Sequence, residues 1–106
     1  MLTENEKSLV IQLVYNWIDM SIIRHSGENP SLAERAVYSS LWDVCQIPSE
    51  KFEDVEREIL TICYSRNQES RAMGIIDFFE HNRRVIMEVQ EGGFGKRYFM
   101  KLMEKI

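Results

Sequence analysis

The sequence predicts an all-α fold, a compact bundle of about five amphipathic helices forming a single domain over residues 1–106. The first observation behind this is a polar stripe, Gly74, Asp77, His81, Arg84, Glu88 and Glu91, whose members recur at alternating spacings of three and four residues. Only a 3.6-residue period places those side chains on one face. The second is punctuation: Gly27 with Pro30, Pro48, the polar tract 66–70 and the glycines 92, 93 and 95 divide the chain into five segments. Such breakers separate helices more naturally than they interrupt them. The third is composition, 44% hydrophobic and 28% charged with no low-complexity tract, which is ordinary for one globular domain. At 106 residues the chain is long enough to bury roughly two thirds of the surface it exposes when unfolded.

The first helix is expected over 4–24. Thr3 and Glu6 have the T-x-x-E spacing of a capping box. Its polar stripe, Asn5, Gln12, Asn16 and Asp19, is narrow, and nearly everything else from Leu9 to Ile23 is apolar, so it must be covered on most sides. Arg24, His25 and Gly27 supply the usual cationic and glycine exit. The second helix is expected over 31–46, opened by a Ser31/Glu34 box, with Ala33, Val37, Leu41 and Val44 as its seam, Cys45 beside it, and Tyr38 and Trp42 on its shoulder. Pro48 restricts Ile47 and closes it.

A third helix over 50–66, capped by Ser49, places Phe52, Val55, Ile59, Ile62 and Cys63 inward and Glu50, Glu53, Asp54 and Glu58 outward, where acid suits the first turns. The tract 66–70 reads as a turn with Ser70 as the next cap, a continuous helix being the alternative. The fourth helix, 71–91, carries the polar stripe and stops at Gly92-Gly93. A strand pair over Ile75 to Val89 fits the polar positions less well. The fifth, 96–106, sets Phe99, Leu102, Met103 and Ile106 against Arg97, Lys101 and Lys105.

Charge narrows the function classes. The net charge is −4; residues 1–65 hold five Lys/Arg against eleven Asp/Glu, whereas residues 66–106 hold eight against six. A small acidic protein of this kind lacks the basic footprint of a nucleic-acid binder, and is not acidic enough for a DNA mimic. The longest apolar stretch, Leu9 to Ile23, contains Gln12, Asn16 and Asp19 and has neither the flanks of a signal peptide nor the length of a membrane span, so a cytoplasmic location without membrane attachment is expected. Cys45 and Cys63 fall on apolar faces and read as reduced core thiols. Zinc would require them to converge with His25 and His81, which lack paired ligand spacing, so no metal or cofactor is expected.

Two helices are apolar over more than an ordinary surface arc. On the fourth, Ala72, Ile75, Ile76, Phe79 and Ile86 form one strip and Phe78, Val85 and Val89 a second, with Asn82 and Arg83 inside the arc. Either the first and fourth helices pair centrally within the other three, or one arc is covered by another chain, as in a two-fold dimer. The partner-binding residues expected on this basis are Phe78, Asn82, Arg83, Val85 and Val89, together with the basic row Arg97, Lys101 and Lys105, which suits an acidic partner. No catalytic residues are assigned. Gly92-Gly93-Phe94-Gly95-Lys96 lacks the spacing of a phosphate loop and follows a helix rather than a strand.

The expected function is therefore a small non-enzymatic protein-binding or regulatory module acting through a helical surface as a homodimer. One alternative is a DNA-binding regulator in which the second and third helices form a helix-turn-helix, although the third would then offer Glu50, Glu53, Asp54 and Glu58 to the phosphates. Another starts from Glu53-x-x-Glu56 and Asp77-x-x-Glu80, carboxylates spaced to share a helical face. This arrangement resembles the E-x-x-E and E-x-x-D helices of the all-α nucleotide pyrophosphatase (MazG-like) family over about a quarter of the chain, with Glu and Asp exchanged in the second motif. The resemblance implies Mg²⁺ held by the four acids and phosphate oxygens in its remaining positions.

Overall fold

The computed structural model describes residues 1–105, and its regular structure is helical: α1 (Glu4–His25), α2 (Ser31–Val44), α3 (Phe52–Ser65), α4 (Glu69–Glu91) and α5 (Lys96–Glu104), with a single 3-10 turn, Ser49–Lys51, leading into α3. The predicted all-α bundle is the observed architecture. Ile106, read as the last member of the α5 apolar face, lies outside the described residues.

The helix starts depend on local chemistry in different ways. At α1 the capping box forms: the Thr3 N–H donates to Glu6 Oε1 at 2.8 Å and the Glu6 N–H donates to Thr3 Oγ1 at 3.1 Å. The box expected at Ser31/Glu34 does not form. Asn29 Oδ1 instead accepts from the Ser31 N–H (3.0 Å) and hydroxyl (2.6 Å), a turn made by the residue two positions upstream, and α2 begins directly after Pro30. Neither Ser49 nor Ser70 caps with its side chain; Ser49 begins the 3-10 turn and Ser70 is already inside α4.

Three helix ends share one solution. After α1, Gly27 has φ +83°, its N–H donates to Arg24 O at 3.2 Å and that of Glu28 to Ile23 O at 3.3 Å. After α4, Gly93 at φ +83° repeats the pattern, with Gly93 N–H to Gln90 O at 3.0 Å and Phe94 N–H to Val89 O at 3.0 Å. After α3 a non-glycine does the same work: Asn67 takes φ 56°, donating to Tyr64 O at 3.4 Å, and the Gln68 N–H reaches Cys63 O at 2.7 Å. These are Schellman closures, in which a left-handed residue turns the chain and satisfies the last carbonyls. The tract 66–70 is thus a true break, as its polarity predicts, and not a continuous helix.

Four helices form a ring. α2 and α3 each pack on α1 and each pack on α4, while α2 and α3 do not pack on one another. α1 and α4 meet diagonally, where Gly74 permits the Trp17 ring to approach; a Cβ at Gly74 would lie 3.2 Å from it. α5 lies across α2 and α4, with the Phe99 ring 5.5 Å from Trp42 and 6.2 Å from Tyr38. The result is a slab of 39 × 37 × 20 Å, two helices thick. Phe79, Phe99, Leu13, Leu41, Ile59, Ile75 and Ile86 are fully buried at its centre.

Both wide apolar arcs pack in large part against the core of the same chain, while Ile22 on α1 stays 51% exposed. On α4, Val89 is buried, while Phe78 and Val85 are half-buried against the core, with the Phe78 ring 5.7 Å from Tyr38. Within that strip the Phe78 ring meets α2 through Tyr38. On α1, Asn16 also departs from its expected solvent-facing stripe: its Nδ2 donates to the buried Ser40 hydroxyl at 2.6 Å and to Ala36 O at 3.4 Å, tying α1 to α2 with a satisfied polar bridge.

Candidate functional site

The eight residues singled out in the sequence separate into an inner and an outer set. Phe78, Val85 and Val89 belong to the packing just described. Asn82, half-buried, spends its Nδ2 on Phe78 O of its own helix at 2.9 Å. Arg83 spans the α3–α4 seam, its guanidinium 5.3 Å from the Phe52 ring centre, 5.5 Å from that of Phe79 and 3.5 Å from Glu56 Oε2. A flat, weakly hydrated cation suits such a seam because its faces rest on aromatic carbon while its edge keeps a carboxylate.

Of the four acids in the paired motifs, Glu56 and Glu80 come near one another across the seam, with Glu53 nearby. Burial, and then the neighbouring Glu80 charge, push the Glu56 carboxyl above the usual carboxylate range, partly offset by Arg83. Asp77 lies instead along the exposed α4 groove with His81, Arg84 and Glu88. Among the described residues no three of the chain's His, Cys, Asp or Glu side chains are placed to hold one metal ion, so the ligand set implied by the pyrophosphatase resemblance does not assemble. All six positions of the α4 stripe, Gly74 included, are exposed, as the spacing predicts.

The outer set is different. Arg97, Lys101 and Lys105 are exposed and follow one another at intervals of four residues along α5, a row about 12 Å long at the helical rise. Most other cations are answered by acids: Lys96 by Asp43 at 3.0 Å, Arg35 by Glu104 at 3.2 Å, Arg24 by Glu34 at 3.4 Å, and Lys51 by Glu6 at 3.0 Å. Among the described residues, none of the three in the row has an acid within ion-pair distance. Beside the row the rings of Phe94 and Tyr98 stack at 4.3 Å and 21°, yet remain 51% and 45% exposed. The Schellman closure at Gly93 places Phe94 at the foot of α5, where a Cβ at Gly92 would lie 3.2 Å from its ring. Sequence reasoning passed over this aromatic pair, although its i,i+4 spacing was a usable signal.

No protein-family model, curated protein or solved structure matches this chain.

The two cysteines are free and buried. Burial pushes the Cys45 thiol up to about 12 and raises that of Cys63. His25 caps its own helix through Nδ1 at 2.7 Å from Ser21 O, and the zinc set considered from sequence is not formed. No helix is long and apolar enough to cross a membrane among the described residues.

Proposed function

We propose that the chain is a non-enzymatic protein-binding module that receives an acidic segment of a partner protein on the outer face of α5. The observation that carries this reading is the row Arg97, Lys101 and Lys105, which among the described residues has no acid within ion-pair distance, beside an exposed aromatic stack. Helix stability accounts for only part of the row. Lys101 and Lys105 stand near the helix C-terminus, where cations complement the dipole, but Arg97 is in the first turn, where a cation opposes it. Arginine and aromatic side chains together are also the composition enriched at protein interfaces.

A polyanion such as DNA is a poorer fit. The chain as a whole carries −4, and an extended phosphate backbone would meet its acidic N-terminal portion as well as the short basic row. α2 and α3 moreover lack the mutual packing that a helix-turn-helix built from them requires. A labelled Glu-rich amphipathic peptide and a duplex oligonucleotide, titrated in parallel by fluorescence anisotropy, test the choice. The peptide is expected to bind in a salt-sensitive manner, and reversal of both Arg97 and Lys101 to Glu is expected to weaken it by roughly tenfold, the loss of two exposed ion pairs. Binding of the duplex in place of the peptide would overturn the reading.

A further inference from the structure

A second surface, between α2 and α5, has features of its own. The first turns of α2 and the last turns of α5 border a groove of about 370 Å³, with Tyr38, Met100 and Met103 among its lining residues. On its border Leu32 is 82% exposed, beyond any other large hydrophobic side chain of the described residues except Met1. Helix stability does not require a leucine there, because α2 is anchored through Val37, Leu41 and Val44. The same border carries both signs of charge: Arg35 with Glu104 at 3.2 Å, and Glu34 with Arg24 at 3.4 Å, all four at least partly exposed.

We infer that this face is a two-fold interface between copies of this chain, in which Leu32 of each copy enters the groove between α2 and α5 of the other. A projecting apolar side chain and a recess for it occur on one face, which is what an isologous contact needs, since each residue must find its complement on an identical surface. The charges obey the same condition. With the two-fold axis passing through the groove, the Arg35 side of one border meets the Glu104 side of the other, so the Arg35–Glu104 pair is retained by exchange across the interface. A partner of a single charge sign would meet repulsion from either Arg35 or the Glu34 and Glu104 carboxylates, which favours a second copy over the acidic segment proposed for the outer face of α5. The inference goes beyond that binding function and uses none of its residues.

Sedimentation equilibrium of the full chain, over a wide range of protomer concentration, tests it. The mass is expected to rise from 12.6 kDa towards double that value. Leu32→Glu, at a site too exposed to affect folding, is expected to raise the dissociation constant roughly a hundredfold, corresponding to loss of two leucine burials, with an unchanged circular dichroism spectrum. Arg35→Glu is expected to dissociate the dimer and addition of Glu104→Arg to restore it. Met73→Glu, an exposed hydrophobic site outside the groove, should leave the mass as it is. A wild-type monomer at every concentration, a dimer indifferent to Leu32→Glu, or a double variant that stays monomeric would each overturn the interface. Loss of the acidic peptide by the Arg97 and Lys101 reversals would be unaffected by any of these results, so the two proposals fail separately.

Discussion

Arg83 and Glu56 show what a polar pair does in an apolar seam. The arginine rests on two aromatic rings with Glu56 of α3 as its carboxylate, and Glu80 of α4 lies close to that same carboxylate. Burial and this crowding disfavour the ionised Glu56 more than Arg83 favours it, so its folded-state value lies above the unfolded one. The associated stability is fully present below pH 4.5 and is lost as pH rises through the raised value. Glu56→Gln is therefore expected to be more stable than the wild type at pH 7, with the difference closing below pH 4.5; urea midpoints on either side check it. The sequence revealed that Asn82 and Arg83 interrupt an apolar arc and that Arg83 can lay its stem over the core, but not which groups each engages. The carbonyl that Asn82 bonds and the rings beneath Arg83 are matters of tertiary position, which spacing does not encode.

Helix ends were legible to the degree that their chemistry is specific to one residue type. Gly27 and Gly93 announced the ends of α1 and α4, because a left-handed closure favours glycine. Asn67 performs the same closure with a residue that also populates ordinary turns, so the tract 66–70 read only as polar and the start of α4 was placed two residues late. The Ser31/Glu34 box failed for a related reason: Asn29 reached Ser31 first, and a motif of common residues has competitors nearby. At the level of α5 the strongest anchor is Phe99, fully buried against Tyr38 and Trp42. Phe99→Ala is expected to lower stability by about 3–5 kcal/mol and to release the helix from the ring, in line with large-to-small core changes. A shift in tryptophan emission in a Trp17→Phe background, where Trp42 alone emits, together with an earlier denaturation midpoint, is the measurement.

For the molecule as a whole, amphipathic periods disclosed how wide each buried face is and left open which neighbour covers it. The strip of Phe78, Val85 and Val89 is apolar as its period says, and it packs in part against the core of the same chain, with Phe78 on Tyr38 of α2. The two surfaces proposed for partners were harder to see. Phe94 belongs to a connector and Leu32 to a first turn, and neither adds to a periodic face, so only the folded positions of their neighbours gave them meaning. The ring also separates the two thiols. Cys45 closes α2 and Cys63 lies within α3, on helices that share neighbours but not a contact. The protein thus carries one probe of opening at the end of α2 and one inside α3, both buried while folded. With a thiol-specific reagent in excess, equal labelling rates at both sites would identify a slab that opens as one unit. A faster rate at one site would identify the helix that leaves first.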